Sequence, residues 1–121
     1  MAAKKKKEAT TGSKKEAEFT AADCVKGQYK QYLASDPDVK AAVELFNRNK
    51  RLIPPVALPG KMKDHKLQGK LAWIRECHLA GDILLLYTHE NDTVHMLYIC
   101  RHDDLYGKRA KQLNSYLKSL K

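Results

Sequence analysis

The sequence strings together no more than five residues of the set A, V, I, L, M, F, W, Y and C, as in Ile83-Leu84-Leu85-Leu86-Tyr87. A membrane-spanning helix needs about 20 apolar residues, so no span is expected and this run reads as a buried strand. The lysines at the N-terminus have no apolar stretch behind them, which argues against a secretory signal. Cysteine is scarce: Cys24, Cys77 and Cys100, an odd number with no CxxC pair. That excludes a disulfide framework and a zinc finger of ordinary spacing, and it suits a reducing cytoplasm. Acidic charge is also in short supply. Fourteen Asp and Glu face 23 Lys and Arg, a net charge of +9. An excess of that size favours polyanionic partners.

At 121 residues the chain is expected to form one domain. Residues 1–18 carry six lysines and contain no large apolar residue after Met1. They read as a disordered basic arm, with residues 19–121 as the folded domain. Seventeen of the basic residues and eleven of the acidic ones lie after residue 18, so the domain is basic in its own right.

From Phe19 the spacing becomes helical. Thr20 or Asp23 can cap a helix to about Ala34, with Val25, Tyr29, Tyr32 and Leu33 on one face. Asp36 then reads as an N-cap, with Pro37 opening a second helix to about Asn49. Prolines and glycines mark 51–69 as a loop. Strands are expected at 71–79, 82–88 and 93–101, joined by hairpin-length turns. An amphipathic helix is expected from about 107. The fold class is therefore α+β: a helical hairpin packed on a small antiparallel sheet, with an added C-terminal helix.

In such a meander the end of the first strand, the start of the second and the end of the third share one edge. That register brings His78, Asp82 and His102 together, and His65 joins them if the 51–69 loop folds over that end. Imidazoles near a basic surface suit RNA cleavage. One removes the proton of a ribose 2′-OH and another protonates the leaving 5′-oxygen. Arg75, Arg101 and nearby lysines, Lys63 and Lys70 among them, would stabilise the phosphate charge. Simple alternation puts Arg75 on the strand face opposite His78. The same four groups, His65, His78, Asp82 and His102, would also suit a zinc or nickel ion, though the RNA-cleaving reading needs neither metal nor cofactor. Cys77 and Cys100 read as small core residues.

Three segments in order, Lys63-Asp64-His65-Lys66-Leu67-Gln68-Gly69, Arg75-Glu76-Cys77-His78 followed by Asp82-Ile83-Leu84-Leu85-Leu86-Tyr87, and Arg101-His102-Asp103-Asp104-Leu105-Tyr106-Gly107, resemble the YafQ branch of the RelE superfamily of bacterial toxins. The likeness covers about residues 20–107. It implies a compact microbial-ribonuclease-like fold, cleavage of mRNA in the ribosomal A site, and neutralisation by a cognate acidic antitoxin. It also implies active-site positions at His65, His78, Asp82 and His102, with an aromatic at Tyr106. Two positions depart from the family: Ile83 stands where a tryptophan is usual, and Tyr98 where an arginine is expected. Arg101 would have to replace that arginine. If it cannot, the alternative is a catalytically weak binding module on the same fold.

Overall fold

The structure is a computed structural model, and it describes residues 16–108 and 110–121. Five strands, β1 (Glu18–Ala21), β2 (His65–Lys66), β3 (Arg75–Ala80), β4 (Ile83–Glu90) and β5 (Thr93–Arg101), form one sheet in the order β1-β5-β4-β3-β2. Four helices accompany it among the described residues: α1 (Asp23–Ser35), α2 (Asp38–Arg51), α3 (His102–Tyr106) and α4 (Ala110–Ser119). Helices α1 and α2 pack on one face of the sheet and α4 on the other.

The expected meander is present. β3, β4 and β5 are antiparallel neighbours, and β4 lies at the centre with Ile83 to Tyr87 fully buried. Alternation explains that five-residue run. Ile83, Leu85 and Tyr87 point to the α1/α2 side, where they meet Val39 and Phe46. Leu84 and Leu86 point to the α4 side, where they meet Leu105, Leu113 and Leu117. The β4–β5 turn is two residues, Asn91 and Asp92, both at positive φ. Short polar side chains tolerate that geometry, which matches the twist of the flanking strands. Asp36 caps the second helix as expected, its Oδ1 accepting the Asp38 amide at 3.0 Å.

The ends of the sheet differ from the sequence expectation. Residues 16–18, assigned to the basic arm, belong to the fold; residues 1–15 lie outside the described part. Ala17 is buried and its amide donates to the Arg51 carbonyl at 2.7 Å. Glu18–Ala21 then pairs in parallel with Thr93–Met96, so the sheet is mixed and not purely antiparallel. Phe19 meets Phe46 edge-on at 6.2 Å. Four residues are too few for a period to show against the helix that follows.

The first strand of the meander begins at Arg75 and not at Leu71. Gly69, at φ +63°, opens a 3-10 turn over Gly69–Leu71 that drops Leu71 into the core. The segment read as a loop holds another such turn at Gly60–Met62, and then β2, which pairs antiparallel with Arg75 and Glu76.

Candidate active site

One end of the sheet gathers the titratable groups. The β3–β4 hairpin turns there, and the His102 amide donates to the Asp82 carbonyl at 2.7 Å, closing β5 against that turn. β2 brings His65 opposite Glu76. His65, His78 and His102 therefore belong to one neighbourhood, with Lys63 beside them, and each contributes to the electrostatic environment of His78.

At its centre is Glu76, which sequence reasoning did not single out. Its side chain is 2% exposed, and its Oε1 lies 3.2 Å from His65 Nε2 and 3.8 Å from His78 Nε2. Its Oε2 accepts the Tyr106 hydroxyl at 2.5 Å. The Tyr106 ring in turn packs against His102 at 4.7 Å between centroids. A carboxylate that deep is tolerable only with several partners, and here the partners are the site itself. The signal was available: Glu76 and His78 are two apart on a strand and so share a face.

The hydrogen-bond chemistry separates the histidines. His65 Nδ1 lies 2.8 Å from the Lys66 carbonyl while Nε2 faces the Glu76 carboxylate. Both ring nitrogens of His65 are therefore engaged by protein acceptors. Partial burial pushes the His78 pKa below the usual imidazole value; Glu76 opposes this, and Lys63, His102 and His65 add to it. His78 is thus biased toward the neutral imidazole, the form that can accept a proton. Burial and the bond to Glu76 raise the Tyr106 pKa, so its hydroxyl remains a donor.

Other candidates are placed elsewhere. Arg75 points to the opposite face of the sheet, where its Nε donates to Asp64 Oδ1 and to the Tyr87 hydroxyl, each at 3.2 Å. It is a structural cation, as strand alternation implied. Lys50 Nζ reaches Asp64 Oδ2 at 2.8 Å, and the Tyr87 hydroxyl also donates to Asp64. Burial alone would raise the Asp64 pKa. Bonds from Lys50 and Tyr87, with the charges of Lys50 and Arg75, outweigh it and hold the carboxyl below the usual value. Asp82 and Arg101 form an exposed ion pair at 2.6 Å, and the Arg101 guanidinium lies over the Tyr32 ring at 5.4 Å. Lys70 is exposed in the Gly69–Leu71 turn. Among the described residues no group of three or more His, Cys, Asp or Glu side chains is arranged to hold a metal ion.

A family model described as a bacterial toxin of type II toxin-antitoxin systems, YafQ, matches residues 17–107. The chain belongs to this toxin family. No curated protein sequence matches it. Among solved structures, the toxin resembles a copper-bound mutant toxin from Helicobacter pylori at 26% identity and TM-score 0.59, covering 74% of this chain and 98% of that one. It resembles YafQ of E. coli at 20% identity and TM-score 0.61, covering 75% and 99%. Against the E. coli DinJ–YafQ toxin-antitoxin complex the values are 21%, 0.60, 75% and 98%. The last two show a shared fold.

Helix α4 of the toxin lies beyond the family match, and it accounts for one departure from the family pattern. Tyr98, at the position where the resemblance calls for arginine, packs on Tyr116 of α4 at 5.9 Å. Ile83, in place of the usual tryptophan, is buried on the α1/α2 side. Among the described residues no helix is long and apolar enough to cross a membrane.

Proposed function

We propose that this toxin is a ribosome-dependent endoribonuclease that cuts mRNA in the ribosomal A site, acting in the cytoplasm until a cognate acidic antitoxin neutralises it. The observation that carries the reading is the buried carboxylate of Glu76 with His65, His78 and Tyr106 around it and His102 against the tyrosine ring. The YafQ family match and the solved DinJ–YafQ complex support the antitoxin.

In this scheme His78, held neutral by partial burial, takes the proton of the ribose 2′-OH. The 2′-oxygen attacks the adjacent phosphorus and the bond to the 5′-oxygen breaks. His102 gives that oxygen a proton, leaving a 2′,3′-cyclic phosphate and a 5′-hydroxyl. Lys63 stabilises the pentavalent phosphorane, and His65 is held beside it by Glu76. Tyr106 offers an exposed aromatic face to a base. Asp82 acts through the turn that seats His102, while Arg75 and Arg101 are held in ion pairs with Asp64 and Asp82 and take no step. The reaction needs an acid, a base and positive charge, and no metal enters it.

The test is primer extension on a defined mRNA with the purified protein, with and without translating ribosomes. Codon-register cuts that require both the ribosome and His102 are expected, with His102→Ala lowering them by roughly 10²–10⁴-fold. A folded wild-type protein that co-sediments with ribosomes yet makes no cuts overturns the enzyme. It would leave the second reading, a toxin-fold binding module, which the packing of Tyr98 against α4 in place of an arginine favours.

A further inference from the structure

Beside the histidines a cleft of about 300 Å3 opens between β2, α3 and α4. His65 and Tyr106 line one part of it, and both are held by the Glu76 carboxylate. Buried Leu71 and Leu105 contribute apolar wall, and Gln68 and Asn114 are also among its lining residues. The cleft thus adjoins the Glu76 cluster through His65 and Tyr106.

We propose that this cleft is a nucleobase subsite, in which one unstacked base next to the cut phosphate is held and its edge read by Gln68 and Asn114. The proposal rests on the endoribonuclease reading above. Its size is at the lower end of small-molecule sites, which suits a single base and not a folded segment. Its chemistry is that of single-stranded RNA recognition: an aromatic ring to stack on, apolar walls, and groups that both donate and accept toward the base edge. Asn114 Nδ2 makes a long contact of 3.5 Å to the Leu105 carbonyl, which turns the amide and leaves its oxygen with acceptor capacity to spare. Lys66 lies at the same cleft and supplies a cation for the neighbouring phosphate.

The source of Asn114 makes this subsite particular to the chain. The family match ends at residue 107. The solved relatives are covered to 98–99% of their own length while covering 74–75% of this chain. Asn114 stands on α4, beyond the family match. Choice of nucleotide at the cut is therefore expected to depend on α4, while the cut itself depends on the histidines.

The experiment titrates four RNA homotrimers, one per base and each 2′-O-methylated to block cleavage, into the full 15N-labelled chain. One base should bind about fivefold or more tighter than the others and shift the side-chain amide signals of Gln68 and Asn114. Asn114→Ala should level the preference; Gln68→Ala, at an exposed position, provides the same test if the first variant fails to fold. Equal binding of all four bases, unmoved Asn114 and Gln68 signals, or a preference that survives both substitutions overturns the subsite. So does an acidic peptide that shifts the same signals when the trimers do not, since the cleft would then be a protein-docking site. Ribosomal cleavage run in parallel separates the two readings. Wild-type cutting whose nucleotide profile is unchanged in Asn114→Ala removes the subsite and keeps the enzyme. Base-selective binding with no wild-type cutting keeps the subsite and removes the enzyme.

Discussion

Asp64 and Glu76 hold the same short strand from opposite faces of the sheet. Asp64 is tied to Lys50, Arg75 and the Tyr87 hydroxyl on the α2 side. The next residue, His65, reaches Glu76 on the side of α3. β2 is only two residues long, and its own ladder could not fix an imidazole within hydrogen-bond reach of a carboxylate. The two acids supply what the strand lacks.

Replacing Asp64 with Asn should therefore destabilise the fold by roughly 3–5 kcal/mol, because the Lys50 ammonium, whose side chain is 9% exposed, loses its counter-charge. The midpoint of urea unfolding measures this. The wild-type carboxyl is held below its ordinary value of 3.8, so its contribution is complete above that pH. It is lost as pH falls through the lower folded value, and Asp64→Asn should lack this component of the acid sensitivity.

Glu76→Gln keeps the shape at the centre of the site and removes the charge that both histidines face. Ribosomal cleavage should fall in kcat with little change in KM, by less than the roughly 10²–10⁴-fold expected of His102→Ala. Single-turnover kinetics at saturating ribosome separates the two. Equal activity of Glu76→Gln and wild type would remove Glu76 from the mechanism.

A third expectation concerns pH. The folded His78 pKa is depressed below the usual 6.5, so the unfolded chain binds more protons in the window just below that value. Stability from this group is present above pH 6.5 and declines as pH falls through the folded value. Cleavage that uses His78 as base should show its acid limb in the same window, below 6.5. The limb should be absent from the residual activity of His78→Ala.

The thiols should divide by burial. Cys77 and Cys100 are buried, and burial pushes the Cys100 pKa up to about 12. Cys24 is half-buried, with its Sγ directed at the Leu97 carbonyl. An aromatic disulfide reagent should titrate one thiol quickly in the native protein and all three in urea. Rapid reaction of Cys77 or Cys100 in the folded chain would contradict their place in the core.

The central meander was legible because a five-residue apolar run bounded by turn residues has one economical solution, a strand covered on both faces. Its register carried His78, Asp82 and His102 to one edge without further information. Alternation alone also sent Arg75 to the far face. Two features escaped for physical reasons. β1 owes its existence to a partner 75 residues away, and nothing local in Glu18–Ala21 competes with the helix that follows. Glu76 was not singled out, and its burial follows from Tyr106 and His65 closing over it, contacts made by segments 30 and 11 residues distant. The arm over residues 1–15 falls outside what the structure describes.

The parallel pairing of β1 with β5 has a consequence for how the toxin is made. The first strand to be made must wait for the last before it can pair, since Glu18 pairs with Thr93 and Ala21 with Met96. The site is equally late, drawn from residues 65 to 106. Such long-range closure is slow compared with local helix formation. A chain halted before β5 would thus carry α1 and α2 but neither a closed sheet nor a complete set of histidines.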